Sequence, residues 1–252
     1  MYKIPAKTLF VGQKLVYVPE CHSTNSLLNE LNDQSELPEG AVVITSNQTA
    51  GRGQRGNTWI TEPGKNITCS ILLHPRFLPA KNQFQLNMIV SLAILQALKG
   101  LVTQVIKLKW PNDIYIEGRK IGGILIENQV QGESLYSSIV GIGINVNQER
   151  FDHPLAASLY NFTHTEFDLF EISEAVMQSL EHEYTELRAG KTATLKQRYL
   201  HALYKYKEDH QFESGGESFT GFIHDVDEQG KLMINSQGRI QRFAFKEVQF
   251  VN

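Results

Sequence analysis

Residues 135–146 constrain the fold more than any other stretch. They read Leu-Tyr-Ser-Ser-Ile-Val-Gly-Ile-Gly-Ile-Asn-Val, an almost unbroken apolar run. The run is shorter than the roughly 18 apolar residues that a membrane span needs. A strand lacking polar alternation belongs in the middle of a sheet, with both faces covered. Gly141 and Gly143 alternate along it and so share one face. That face is expected to be flat and open, ready for a planar group; a β-bulge is the alternative.

Other segments supply the remaining sheet and its helices. Segments 113–116 and 120–127 read as two strands around a tight turn at Glu117-Gly118. Segment 105–110 is a strand that Pro111 ends. Upstream, 15–18, 41–45 and 66–73 read as strands, the last with alternating character. In 83–99, Phe84, Met88, Leu92 and Leu95 recur at helical spacing, and Gly100 follows as a stop. Ser23 has the chemistry to cap a short helix over 24–31. Asp168 and Glu171 form a capping pair for a helix that ends near Gly190, and a further helix covers about 194–204. After His210 the character changes to short strands at 218–224, 232–235, 240–245 and 248–251, punctuated by glycines. A small all-β barrel of about forty residues, packed on the main domain, is expected. The boundary is placed between 1–207 and 208–252.

Composition limits the partners. A chain of 252 residues suits one catalytic domain with a small appendage. With 41% hydrophobic and 20% charged residues it has an ordinary globular balance. A net charge of -3 leaves no chain-wide basic field for nucleic acid. Cys21 and Cys69 sit in no metal-ligand spacing and read as free thiols in a reducing compartment. The N-terminal residues carry no signal-peptide pattern, so a cytoplasmic protein is expected. Motifs for zinc proteases, nucleophile elbows and P-loops are absent.

Five short segments can carry chemistry. In Gly51-Arg52-Gly53-Gln54-Arg55-Gly56, glycines let the backbone approach a ligand and two arginines suit phosphate or carboxylate. Read alone, it is equally a solvated hairpin loop. Lys109-Trp110-Pro111-Asn112-Asp113 presents polar groups where a strand exits, a favoured place for ligands or an ordinary turn. In Arg119-Lys120-Ile121-Gly122-Gly123-Ile124-Leu125-Ile126-Glu127, paired glycines within a strand mark close approach by a ligand or another backbone. A lysine beside them can stabilise charge developing on a phosphate, or simply face solvent. Gly141 to Asn147 supplies the glycine face. Ser23-Thr24-Asn25 can donate to a ligand carbonyl or merely cap a helix.

In content and order these segments resemble the biotin–protein ligases. The motifs span about residues 15–150. The resemblance implies an α+β fold: a catalytic domain like that of class II aminoacyl-tRNA synthetases, with a mixed sheet and flanking helices, then a small SH3-like β-barrel. It implies ATP-dependent transfer of biotin to a lysine of a biotin carboxyl carrier protein through biotinyl-5′-AMP. Biotin and ATP would be substrates, with Mg2+ whose protein ligands the residues do not identify. Carried over by motif, Ser23, Thr24, Asn25, Gln48, Gly51, Arg52, Gly53, Gln54, Arg55, Trp59, Lys120, Gly122 and Gly123 would contact biotin or its adenylate. Arg52, Lys109, Asp113 and Lys120 would serve the chemistry, and Asn112 and Asn145 the nucleotide. The family's loop often has arginine where this chain has Gln54, which removes a purely ionic role there. Some relatives carry an operator-binding helix-turn-helix before the Ser-Thr-Asn motif. Here that motif begins at residue 23, so no DNA partner is expected, and a monomer or homodimer is. The competing readings are a lipoate or octanoate ligase or transferase of the same fold, and a non-catalytic biotin-binding module. The glycine-rich loop is expected to be mobile when empty and to order over ligand.

Overall fold

The computed structural model describes residues 7–251. In chain order the larger, N-terminal part contains β1 (Leu15–Cys21), α1 (Thr24–Ser35), β2 (Val42–Gln48), β3 (Asn66–Leu73), α2 (Phe84–Leu98), β4 (Ile106–Lys109), β5 (Asp113–Ile116), β6 (Arg119–Gln131) and β7 (Ser134–Asn145). Then follow α3 (Tyr160–Thr163), α4 (Leu169–Arg188) and α5 (Thr192–Ala202). The strands form one mixed seven-stranded sheet in the order β1-β2-β3-β7-β6-β5-β4. Only β1 and β2 pair in parallel; the other neighbours are antiparallel. The apolar run thus becomes β7, the middle strand, as its composition requires.

Helices cover both faces. Helix α2 is buried almost all round and packs on α4 and α5 over one face. On the other face α1 lays Leu28 over Val43, Leu72 and Ile139 in a separate small core. Double coverage corrects the expected alternation of β3: all eight of its residues are buried. Helix α1 also departs from expectation. Ser23 sits at its N-cap in extended conformation, but its side chain makes no capping hydrogen bond. Asp168 does cap α4, accepting from the N–H groups of Phe170 and Glu171. Turns fall where glycine signalled them, with Glu117 and Gly118 both at positive φ between β5 and β6.

The C-terminal part has five short antiparallel strands: β8 (His210–Ser214), β9 (Glu217–Val226), β10 (Leu232–Ser236), β11 (Arg239–Phe243) and β12 (Gln249–Phe250). Their order is β11-β10-β9-β8-β12, a separate small sheet consistent with an SH3-like unit. Trp110 fastens it to the larger part: its Nε1 donates to the Gly230 carbonyl at 2.9 Å, and its ring meets Phe245 edge-on. Gly230, at φ +84°, lies so close to the Phe84 ring that a side chain would not fit. Lys196 pairs with Asp225 at 2.8 Å across the same seam. No helix among the described residues is long and apolar enough to cross a membrane.

Candidate active site

A cavity of about 430 Å³ opens on the α1 face of the sheet, where the start of α1, the loop after β2, strands β5 to β7 and the end of the chain converge. Strand register builds its floor. Gly143 pairs with both Thr68 and Gly123, and Gly141 with both Ser70 and Leu125. Pairing is continuous through both glycines, so there is no bulge there. The glycine face is not open, however, and this corrects the expectation. The indole of Trp59 rests on Gly143, where a Cβ would run into the ring. Asn25 fills the space over Gly141 in the same way. The planar group on this face is the chain's own. Trp59 Nε1 is buried there without a hydrogen-bond partner, a donor facing the cavity floor.

One wall is a polar chain reaching from β2 to β6. Gln48 Oε1 accepts from the Thr24 N–H at 2.8 Å and lies 3.2 Å from Thr24 Oγ1. Fully buried Ser70 stands 2.7 Å from Thr24 Oγ1 and 2.6 Å from Asn25 Oδ1. Asn25 Nδ2 donates to Glu127 at 2.7 Å, and Arg52 Nη2 meets the same carboxylate oxygen at 2.8 Å. The glycine-rich loop closes on itself: the Trp59 N–H donates to the Gly51 carbonyl and the Gly53 N–H to the Asn57 carbonyl. Gly51 must be glycine, because a Cβ would overlap the Trp59 carbonyl. Arg52, Gly53, Gln54 and Trp59 line the cavity; the side chain of Arg55 lies outside the described residues.

The opposite wall is the corner after β4. Asn112 is locked by reciprocal bonds with Ile124, its Nδ2 donating to the Ile124 carbonyl at 2.6 Å. Asn87 Nδ2 on α2 donates to the Pro111 carbonyl at 2.7 Å. Lys109 enters a box of rings, its Nζ 4.8 Å from Tyr115, 5.1 Å from Phe250 and 5.9 Å from Tyr204. Burial pushes its pKa below the usual lysine value; Asp113 opposes the shift and Lys120 adds to it. Lys120 Nζ lies 2.6 Å from Asp113 Oδ1 and 5.7 Å from the Trp59 ring. Cys69 also lines the cavity, its thiol pKa pushed up to about 12 by burial.

The structure therefore brings together Ser23, Thr24, Asn25, Gln48, Arg52, Gly53, Gln54, Trp59, Lys109, Asn112, Asp113, Lys120 and Gly123. Gly51 shapes the loop from behind. Two expected positions do not reach the cavity. Gly122 is one residue out of phase with Gly123 and faces Ile114 beneath the sheet. Asn145 is buried and donates to the Ala157 carbonyl at 2.9 Å, tying the end of β7 to the following segment. Sequence reasoning missed Ser70 and the C-terminal wall of Phe245, Lys246, Val248, Gln249 and Phe250, and it gave Glu127, at the end of its third segment, no role. A serine inside the apolar strand Asn66–Leu73 was the available signal for Ser70. Nothing local in the sequence marks the C-terminal wall, which meets the cavity only through tertiary packing.

Four cations, Arg52, Lys109, Lys120 and Lys246, line the cavity against the single carboxylate of Asp113 among the described residues. Such a set suits a polyanionic ligand. No group of three or more His, Cys, Asp or Glu that could hold a metal occurs among the described residues. The donor set thus provides no protein cage for a cation.

Comparison with known proteins agrees with this geometry. The model of the biotin/lipoate A/B protein ligase family matches residues 17–145. The bifunctional ligase/repressor BirA of Bacillus spizizenii is 29% identical over 248 residues, covering 96% of this chain and 76% of that protein. The biotin–[acetyl-CoA-carboxylase] ligase of Mycobacterium tuberculosis is 28% identical, covering 90% of this chain and 85% of its own length. Among solved structures, the Aquifex aeolicus biotin protein ligase in complex with biotin and ATP superposes with a TM-score of 0.78 at 26% identity, covering 95% of this chain and 99% of that one. Cavity, motif order and whole-chain likeness lead to one assignment: the chain belongs to the biotin/lipoate A/B protein ligase family.

Proposed function

We infer that this chain is a biotin–protein ligase that uses ATP to activate biotin and then transfers it to a lysine of a biotin carboxyl carrier domain. The observation that carries the reading is the cavity itself. A glycine floor topped by an indole lies beside Arg52, Lys109 and Lys120. A ligand with a thioether ring and aliphatic chain at one end, a polar ureido edge, and a carboxylate joined to a nucleotide at the other matches that division into an indole-covered seat and a cationic end. The names of the relatives and the biotin and ATP complex of the Aquifex aeolicus protein support it.

In the first step a biotin carboxylate oxygen bonds to the α-phosphorus of ATP. The bond from that phosphorus to the β-phosphate oxygen breaks, and pyrophosphate leaves with the electron pair. Two anions must approach each other, so fixed cations lower the barrier most. Lys120 and Arg52 take that role, with Lys109 on the polyphosphate side. Asp113, bonded to Lys120, holds its ammonium in place. Thr24, Asn25 and Gln48 orient biotin's polar ureido ring, and the Trp59 indole on the glycine floor gives it an aromatic surface. Asn112 fixes the corner near the nucleotide; Gly122 and Asn145 act from behind the cavity. In the second step the neutral ε-amine of the carrier lysine attacks the acyl carbon, the bond from that carbon to the phosphate oxygen breaks, AMP leaves with the electron pair, and the amine's proton passes to solvent. Magnesium would be carried on the phosphates of ATP, where it would neutralise charge, since the described residues offer no cage for it. Residues 1–207 form the catalytic unit in this reading, and 208–252 the barrel that completes its wall.

Exchange of labelled pyrophosphate into ATP tests the first step. Exchange that depends on biotin supports the reading. Exchange with lipoate or octanoate and not with biotin overturns it in favour of the sister chemistry.

A further inference from the structure

Glu127 sits on β6 outside the cavity's lining, yet its carboxylate touches two separate parts of the cavity wall. One oxygen, Oε2, takes Asn25 Nδ2 at 2.7 Å and Arg52 Nη2 at 2.8 Å. Asn25 belongs to the first turn of α1 and Arg52 to the glycine-rich loop, and neither element is in β-ladder pairing with β6. Besides Glu127, only a longer bond among the described residues, from Asn25 Nδ2 to the Leu125 carbonyl at 3.3 Å, ties Asn25 to that strand. Asn25 passes the constraint inward through Ser70 to Thr24 and Gln48. A guanidinium has five N–H donors, and the bond to Glu127 occupies one nitrogen. An anion in the cavity can therefore bind Arg52 while Glu127 still holds it.

We propose that Glu127 is a positioning residue: a latch that fastens the glycine-rich loop and the start of α1 to the central sheet, and so sets affinity for the acyl substrate without joining the chemistry. The inference rests on the biotin-ligase reading for its kinetic test, though not for its structural one. The side chains of the pair are 45% and 39% exposed, so solvent screens the Arg52 interaction and the latch is weak enough to open. Charge holds the loop and hydrogen bonding holds Asn25, which makes the two contributions separable by substitution. Glu127→Gln keeps an acceptor for Asn25 and removes the charge; Glu127→Ala removes both.

Two measurements on the full chain test the latch. In steady-state adenylate formation, Glu127→Ala is expected to raise the KM for biotin about tenfold with kcat within twofold, and Glu127→Gln is expected to recover part of the loss. In the ligand-free protein, trypsin nicking after Arg52 or Arg55 is expected to quicken several-fold in both variants. Unchanged KM and unchanged nicking overturn the proposal. A fall in kcat at unchanged KM also overturns it, because that outcome places Glu127 in the chemistry. If wild type forms no adenylate from biotin, the functional reading fails, and nicking alone still decides the latch. Should Glu127→Ala fail to fold, Glu127→Gln carries both measurements, with normal KM and normal nicking as the overturning result.

Discussion

Two walls of one cavity are fixed by different means. At the corner after β4, Asn112 exchanges bonds with Ile124, the Pro111 carbonyl is taken by Asn87, and Trp110 is bonded to Gly230 of the barrel. Every one of those partners belongs to another element, and the groups are buried. Across the cavity, the hydrogen bonds of the glycine-rich loop run largely within itself, from Trp59 to Gly51 and from Gly53 to Asn57. Its tip meets the sheet through the half-exposed pair of Arg52 and Glu127. Both walls carry cations that line the one cavity. One presents them on a frame bonded to other elements, the other on a loop bonded mainly to itself, a division that suits a site where substrate must enter and water must then be excluded.

The largest expected effect lies where the walls meet. Lys120→Ala should lose roughly 10²–10³-fold in adenylate formation, the scale of one lost charge-stabilising donor. Its urea unfolding midpoint should stay near wild type, because a half-exposed ion pair contributes little to stability. Near-normal pyrophosphate release by that variant would remove Lys120 from the reacting centre. Next comes the floor. Gly143→Ala drives a methyl into the Trp59 ring. Overpacking of about 1–3 kcal/mol predicts roughly a tenfold to hundredfold rise in KM for biotin. Trp59 emission should shift at the same time; the chain has two tryptophans, so a Trp110→Phe background isolates the signal.

A smaller effect separates frame from loop. Asn112→Ala leaves the buried Ile124 carbonyl without its side-chain donor. It should cost about 1–3 kcal/mol of stability, read as a fall in Tm. Gln54→Ala, in the loop, should leave Tm unchanged. Equal losses in the two variants would erase the contrast. The smallest effect is a pH dependence. Burial depresses the pKa of Lys109, and only its protonated form attracts phosphate. Affinity for ATP should therefore fall as pH rises through a value below 10.5, the ordinary lysine value. Lys109→Arg keeps its charge over that range and should flatten the profile. A profile that is identical in both proteins would separate Lys109 from the nucleotide.

Much of the sheet was legible because periodicity and punctuation act locally. Residues 66–73 and 113–116 coincide with β3 and β5, and the apolar run became the middle strand. Strand β8 escaped notice because Phe212 is its one buried residue among polar neighbours. The candidate site was legible wherever a motif names its own residue type, as at Arg52, Lys109 and Lys120. It was not legible where the third dimension decides. Phase within β6 turns Gly122 away while Gly123 faces the cavity. Strand-end bonding commits Asn145 to Ala157. The glycine face reads as empty in one dimension, and only packing shows that Trp59 and Asn25 occupy it. Likewise Phe250 reaches Lys109 from 141 positions farther along the chain, and no spacing rule connects them.

Incubation of the full chain with biotin, MgATP and a biotin carboxyl carrier domain, followed by intact-mass measurement of the carrier, tests the central claim most directly. The account predicts a carrier heavier by one biotinyl group, dependent on ATP and abolished when the acceptor lysine is replaced by arginine. An unmodified carrier, in a reaction where the same protein binds biotin and ATP, would contradict it.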